Sequence, residues 1–134
     1  MFADVSYKEK VFSIKVLKST PENDDFSRLI EKCEEMYLRR KNPFILSMDL
    51  YDMGMLESKD ILSWMAMFYR VRSITSNFLY CTIVCVRSSF KTSINTFLDM
   101  YNPIKPFHVF YDRSIFTKEI QEKQSKVKDL SLII

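Results

Sequence analysis

Three segments of the chain carry hydrophobic patterns that are typical of β-strands. In residues 11–17 apolar and polar side chains alternate, which predicts a strand with one buried face. Residues 44–50 and 79–86 are almost continuously apolar. Strands that are buried on both faces of a parallel sheet show this pattern. We therefore expect these two segments to lie side by side, in the same direction, inside a sheet that is covered by helices.

Helical periodicity fills the intervals between these strands. Apolar residues recur three and four positions apart in residues 26–37, 61–69, 94–101 and 115–120. Capping side chains at Thr20 (followed by Pro21), Ser58 and Ser88 predict where the first three helices begin. Four helices are expected in all.

The predicted order is β-β-α-β-α-β-α-β-α. It begins with a hairpin in residues 2–17 and has a last short strand at residues 107–111. Strands that alternate with single helices indicate an α/β fold with right-handed crossovers. We predict a single-layer, mixed and mainly parallel sheet of four or five strands. The whole chain, residues 1–134, is expected to form one domain with a C-terminal helix and tail at 114–134. The oily end of that tail, residues 130–134, is expected to pack as an extra edge strand or to reach into another subunit.

The loop from Leu50 to Asp60 joins a buried strand to the second helix. Open α/β sheets place ligand and partner sites at this end of a strand. Four acidic side chains surround the turn: Asp49, Asp52, Glu57 and Asp60. Carboxylates of this kind can bind Mg²⁺ or Ca²⁺, but their spacing fits no EF-hand loop. We interpret them as solvated loop acids and expect no metal and no cofactor.

The same segment carries a family resemblance. Residues 48–53 (Met-Asp-Leu-Tyr-Asp-Met), followed by Glu57-Ser58-Lys59-Asp60 and a helix, resemble the strand and loop of the STAS domain, the anti-sigma-factor antagonist fold. The resemblance extends over roughly residues 11–120, and it implies a STAS-like scaffold that binds protein partners. In the bacterial switch proteins of that family the second serine of the loop is phosphorylated. Lys59 occupies this position, so the resemblance implies a divergent member without that phosphorylation site.

Charge and composition narrow the classes of partner. The chain has 20 basic and 17 acidic residues, a net charge of +3, and its charges alternate in sign along the sequence. Nucleic-acid-binding proteins usually show a basic stripe, so we expect no nucleic-acid partner. No apolar stretch is long enough for a signal peptide or for a membrane span, which predicts a soluble cytoplasmic protein. The abundance of Lys, Asn and Ile is typical of an AT-rich genome, such as that of a parasite or a large DNA virus.

Residues that could support catalysis are few. The chain has one histidine, His108, and three cysteines: Cys33, Cys81 and Cys85. Cys81 and Cys85 lie four residues apart in one predicted strand, so they point to one face and are too far apart to form a disulfide. We interpret all three as reduced residues of the apolar interior, where a thiol is inert. An enzyme centred on His108 stays as a third hypothesis.

The leading functional prediction is a non-enzymatic protein-interaction module, with an unidentified protein partner or a second copy of the chain. Docking is expected through the 50–60 loop and the helix after it. The predicted partner-binding residues are Asp52, Met53, Met55, Glu57, Ser58, Lys59, Asp60, Trp64 and Met67. The apolar residues of that helix exceed one buried stripe, which indicates either burial on two sides or an exposed patch. The alternative is a carrier of a small apolar ligand or lipid in a pocket between sheet and helices, which the surplus of Phe and Met favours.

Overall fold

The structure is a computed structural model that describes residues 2–54 and 57–133, with side chains as far as residue 129. Its strands are β1 (Ala3–Lys8), β2 (Val11–Val16), β3 (Phe44–Asp49), β4 (Leu79–Cys85) and β5 (Phe107–Phe110). Its helices are α1 (Asp25–Leu38), α2 (Ser58–Arg70), α3 (Arg72–Phe78), α4 (Lys91–Met100) and α5 (Arg113–Ile133). A 3₁₀ turn, Ser88–Phe90, leads directly into α4.

The strands form one sheet in the order β1-β2-β3-β4-β5. β1 is antiparallel to β2, and every other neighbouring pair is parallel. The two continuously apolar segments, β3 and β4, are therefore parallel neighbours as predicted. The predicted α/β class, with a single mixed and mainly parallel sheet, is confirmed. Five helices, rather than four, lie in the described part of the chain.

The hairpin between β1 and β2 turns through two residues. Glu9 and Lys10 adopt φ angles of 50° and 68°, and the register pairs Lys8 with Val11. Positive φ at both central residues is the signature of a type I′ turn, whose twist matches that of the flanking strands. The turn therefore fixes the register of the hairpin.

The connections between parallel strands place most helices on one face of the sheet. Each crossover moves to the next strand in the same direction, so right-handed connections put α1, α2 and α4 on the same side. The main core forms there, where Phe12 and Leu46 of the sheet pack with Phe26 of α1 and Met67 of α2. The functional loop predicted at residues 50–60 enters α2 on this side.

The opposite face of the sheet is covered by α5. Phe116 and Val127 of α5 pack on Ile45 of β3 and Ile83 of β4. Asp112 caps the helix, because its carboxylate accepts hydrogen bonds from the backbone N–H groups of residues 114 and 115 at 2.7 and 3.3 Å. A hydrogen bond from the Ser114 hydroxyl, together with these two backbone bonds, lowers the pKa of Asp112. Within the described residues, no helix combines the length and the apolar character needed to cross a membrane.

The end of the chain corrects one prediction. Residues 130–133 continue α5, so they do not form an extra edge strand. Hydrophobic residues near a chain end can extend a preceding helix as readily as they can begin a strand, and the pattern of a five-residue segment does not separate the two. Ile134 lies outside the described residues.

The helix starts also differ from those predicted. α1 begins at Asp25, after a turn in which Asn23 has a φ angle of 50°, so the predicted start at Thr20 and Pro21 is wrong by four residues. Ser58 is the first residue of α2 and makes no capping hydrogen bond, since Glu57 occupies the cap position. α3, which has only seven residues, was not predicted. Short helices contain too few turns to produce a clear period.

The one glycine in the chain holds the 50–60 loop against a neighbouring loop. The backbone N–H of Gly54 donates a hydrogen bond to the carbonyl oxygen of Ser19 at 2.5 Å. A Cβ atom at position 54 would lie 2.6 Å from that same oxygen, which is closer than carbon and oxygen can approach. Glycine is therefore required here for close backbone contact, which is one of its ordinary roles.

Candidate functional site

An apolar cavity of about 130 Å³ lies between helices α2 and α4 and the face of the sheet that they cover, which is the face opposite α5. It is bounded by the last residues of β3 and β4 and by the segments that follow them. The lining residues are Met48, Leu50, Met53, Ile61, Trp64, Phe68, Val84, Val86, Phe90, Ser93, Ile94, Phe97 and Phe107. The cavity therefore lies toward the carboxyl ends of the parallel strands, where α/β sheets commonly bind ligands.

The sheet supplies the floor of this cavity. Met48 of β3 and Val84 of β4 face the helix-covered side, and they lie opposite each other in the parallel register. Leu50 follows Met48 by two residues and Val86 follows Val84 by two residues, just past the ends of their strands, and both are buried. Side chains two residues apart in a strand share a face, which brings these four together.

The outer wall is formed by α4 and the 3₁₀ turn before it. Ile94 and Phe97 of α4 line the cavity, yet no residue of α4 is fully buried. Ile94 and Phe97 are half-buried, and Ser93 beside them is exposed. A helix that buries so little apolar surface is held less firmly than one with a complete core face. The cavity therefore has one weakly packed wall.

Trp64 lines the opposite wall, and it carries a hydrogen-bond donor that is buried away from the cavity space. Trp64 of α2 is only 6% exposed, and its indole Nε1 makes no hydrogen bond within the described structure. The ring is held by Phe26, whose centroid lies 5.5 Å away in an edge-to-face contact, and by Phe68, stacked at 6.4 Å. Leaving a buried donor without a partner destabilises the folded protein by about 1–3 kcal/mol, so a ligand that supplies an acceptor for it gains binding free energy.

A cationic side chain lies next to two of the lining residues. Arg87 donates a hydrogen bond from Nη2 to the carbonyl oxygen of Met53 at 2.8 Å, and its guanidinium lies 5.4 Å from the ring centroid of Phe90. Its Nε atom is buried and has no partner in the described residues. Arg87 therefore joins the 50–60 loop to the 3₁₀ turn at the margin of the cavity.

The predicted partner-binding residues fall into two groups. Met53, Trp64 and Met67 are buried, with Met67 only 1% exposed, so their side chains belong to the core and not to an exposed patch. The buried apolar residues of α2 pack in the core that the sheet and α1 share, whereas Leu62 and Tyr69 of the same helix stay exposed. The accessible residues are Asp52, Glu57, Ser58, Lys59 and the partly buried Asp60. Met55 lies outside the described residues.

The acidic residues of the loop do not form a single cluster of four carboxylates, because they pair with different cations. Asp49 and Asp52 both bind Arg113 of α5, at 3.3 and 2.9 Å, and the Arg113 guanidinium also lies 4.7 Å from the ring centroid of Tyr51. Glu57 forms an ion pair with Lys59 at 3.3 Å. Among the described residues, no group of three His, Cys, Asp or Glu side chains is arranged to hold a metal ion.

The sulfur and imidazole groups do not form a nucleophilic pair. All three cysteines are free and buried, as predicted for packing residues. Burial raises the pKa of Cys33 to about 12 and the pKa values of Cys81 and Cys85 to about 11. A thiol with so high a pKa is protonated and unreactive at neutral pH. His108 lies in β5, where the register pairs it with Ile83.

Most of the cavity lining is missing from the predicted site. The helical period placed Ile94 and Phe97 on an inward face, and the surplus of Phe suggested a pocket between sheet and helices. The position of the space between these residues was not predicted, because it depends on how α4 sits over the sheet. No sequence signal marks a packing gap of this kind.

Comparisons of the chain with protein-family models, with curated proteins and with solved structures found no match.

Proposed function

We propose that this chain is a non-catalytic domain that binds a small apolar molecule between its sheet and its α2 and α4 helices. The observation that carries the proposal is the cavity of about 130 Å³ lined by Trp64, a residue whose buried Nε1 has no hydrogen-bond partner among the described residues. Concave, mainly apolar spaces with a few convergent polar groups are typical of ligand sites. This is the carrier function that composition raised as the alternative to a protein-interaction module.

The size of the cavity limits the ligand. An engineered apolar cavity of about 150 Å³ in another protein binds benzene. A space of about 130 Å³ therefore suits a single ring or a short branched chain. A long-chain lipid would have to extend past α4, whose residues are at most half-buried.

The polarity of the lining limits the ligand further. Among the lining side chains only those of Trp64 and Ser93 carry a nitrogen or oxygen atom. An ionised group inside such a space would lack a partner and would be strongly disfavoured. An uncharged molecule with one acceptor oxygen, such as a cyclic ketone, brings no ionised group into the cavity. We propose that its binding displaces the Trp64 ring enough for the ketone oxygen to accept a hydrogen bond from the indole N–H, which is buried in the unliganded chain.

Cyclohexanone tests this proposal, because Trp64 is the only tryptophan and its fluorescence reports on the cavity. We expect a saturable change in emission when cyclohexanone is added. Ile94→Phe should weaken this binding by about tenfold or more, since the larger ring occupies the space. Ile74→Phe is the matched control, because Ile74 is also half-buried and packs on the same core without lining the cavity.

Two results would contradict the proposal. One is an emission change in the wild-type protein that rises linearly with ketone concentration and never saturates, as collisional quenching does. The other is equal loss of binding in both phenylalanine variants, which would mean that any added bulk in the core has the same effect. Near-ultraviolet circular dichroism of each variant establishes that its tertiary structure is retained.

A protein-interaction module is the second candidate function, and the outer face of α2 favours it. Leu62 and Tyr69 are 54% and 49% exposed on that helix, and the accessible charges of Glu57 and Lys59 lie at its start, near Leu62. Exposed apolar side chains rimmed by charges are typical of transient protein contacts. This surface differs from the one first predicted, because Trp64 and Met67 do not contribute to it.

We also propose that the chain is a divergent STAS domain. The order of strands and helices and the loop between β3 and α2 support this, with Ser58 exposed at the first position of α2. Lys59, at the position of the phosphorylated serine, is exposed and paired with Glu57. Under this proposal the loop contacts a partner through fixed charges and not through a phosphate.

A reducing compartment such as the cytoplasm is the proposed location. Three free, buried thiols support it, because secreted domains of this size more often use their cysteines in disulfides.

A further inference from the structure

The outer edge of the sheet is formed by β1. Within the described part of the chain β1 pairs with β2 alone, while its other side has no strand beside it. Four of its six residues are exposed, including Asp4, Ser6 and Lys8. An open strand edge presents unpaired N–H and C=O groups, which another strand can use for pairing.

The hydrogen-bond pattern identifies which backbone groups face outward. Leu17 N–H donates to the carbonyl oxygen of Phe2 at 2.7 Å, so residues 2 and 17 form a hydrogen-bonded pair. Such pairs alternate along an antiparallel ladder, which directs the backbone groups of Asp4, Ser6 and Lys8 toward β2. The groups of Ala3, Val5 and Tyr7 therefore point to the open edge.

The side chains of β1 are arranged symmetrically about Ser6. Asp4 and Lys8 lie two residues on either side of it and share one exposed face of the strand. Val5 and Tyr7 lie one residue on either side of Ser6, and they share the other face of the sheet, which α1 and α2 cover. Tyr7 is 36% exposed, and the guanidinium of Arg40 lies 3.6 Å from its ring centroid.

We propose that β1 pairs with β1 of a second copy of this chain, antiparallel, about a two-fold axis through Ser6. This register places Asp4 of each copy opposite Lys8 of the other, and Val5 of each copy opposite Tyr7 of the other. Val5 and Tyr7 have outward backbone groups, so the two pairs exchange four N–H···O bonds. The result is one continuous ten-stranded sheet.

Charge complementarity selects this register over its neighbour. An axis through Val5 would set Asp4 opposite Ser6 and leave Lys8 without an acidic partner in β1. Opposite charges directly across an antiparallel pair are favourable, and like charges are unfavourable. Neither Asp4 nor Lys8 forms an ion pair within the described chain, so both are available for the contact.

The charge pattern allows a swap experiment. Asp4→Lys places two lysines opposite each other at both ends of the contact, and Lys8→Asp does the same with two aspartates. The double variant, Asp4→Lys with Lys8→Asp, restores both pairs with their signs exchanged. All three variants change only the exposed residues Asp4 and Lys8, so we expect each to retain the monomer fold.

Sedimentation equilibrium of the full chain up to millimolar concentration measures the outcome. We expect a reversible wild-type dimer, a dissociation constant about tenfold larger in each single variant, and recovery close to the wild-type constant in the double variant. A wild-type chain that stays monomeric overturns the proposal. So does dimerisation that is indifferent to the single changes, or a double variant that fails to recover.

Discussion

Trp64 packs in the core and also carries the hydrogen-bond donor on which the proposed ligand site depends. Its ring fills the core between Phe26 and Phe68, and its Nε1 stays without a partner. Buried indole N–H groups usually find an acceptor, because leaving them unpaired is costly. The ring contacts therefore account for the burial of this residue, and the proposed ligand would supply the acceptor that its indole N–H lacks.

Cys33 gives a prediction on stability against pH. Burial raises its pKa to about 12 from an ordinary value of 9.0. Above pH 9 the unfolded chain loses the thiol proton and the folded chain keeps it, so the free energy of unfolding falls as pH rises. By pH 11 the loss from Cys33 is roughly 2–3 kcal/mol. Urea unfolding in the presence of a reductant, at a series of pH values from 9 to 11, measures it.

Cys33→Ala is the control for this effect. The variant is less stable at every pH because a buried side chain is shortened, but its stability should fall less steeply above pH 9. Cys81, Cys85, Tyr37 and Tyr101, whose pKa values are also raised by burial, contribute to the remaining slope. Equal slopes in the two proteins would show that Cys33 does not keep its proton in the folded state.

Predictions of which residues are buried succeeded where the neighbouring sequence is clearly apolar. Predictions failed where the property depends on contacts between distant parts of the chain. The interior position of the cysteines follows from their apolar neighbours in sequence. The exposure of Trp64 and Met67 was left open, because α2 has apolar residues around much of its circumference. The missing partner of Trp64 Nε1 depends on distant parts of the chain, so no local pattern reports it.

Among the elements, α4 is the one whose packing differs most from the rest. α1 and α2 bury four or more side chains each, whereas α4 fully buries none. Its apolar face instead borders the cavity through Ile94 and Phe97. Under the proposed function, α4 is therefore the wall that we expect to move when a ligand enters.

The outer face of α2 gives a prediction for the protein-interaction candidate. Leu62→Glu should leave the thermal midpoint unchanged and should reduce the capture of protein partners from cell extract by the immobilised chain. Leu62 is more than half exposed, so its replacement removes contact surface without opening the core. Ser63→Glu, which adds the same charge at the next exposed position, is the matched control. Identical captured proteins in all three chains would count against this surface.

At the level of elements the hydrophobic period predicted the type of the long elements correctly, but it missed the short helix α3, misplaced the start of α1 and assigned the wrong type to the tail. Both central strands were placed correctly because they are long and continuously apolar. α1 starts four residues later than its proline indicated, since a turn through Asn23 precedes it. The oily tail became the end of α5 because helical propagation from residue 113 competes with strand pairing.

For the whole molecule, the sequential strand order determines where a site can form. With every crossover helix on one face, the helices must share that surface, and the gap between α2 and α4 lies over β3, β4 and β5. The fold class was predictable from the alternation of elements. The cavity was not, because it is a small mismatch between packed elements and leaves no trace in the periodicity.

The signal of the Trp64 indole N–H in a ¹H–¹⁵N correlation spectrum tests the central claim most directly. The chain has one tryptophan, so this cross-peak is unambiguous. Cyclohexanone should shift it downfield in a saturable way, because the ketone oxygen accepts its hydrogen bond, whereas methylcyclohexane, which has the same shape and no acceptor, should not. An indole peak that responds equally to both compounds, or to neither, would contradict a binding site built around this donor.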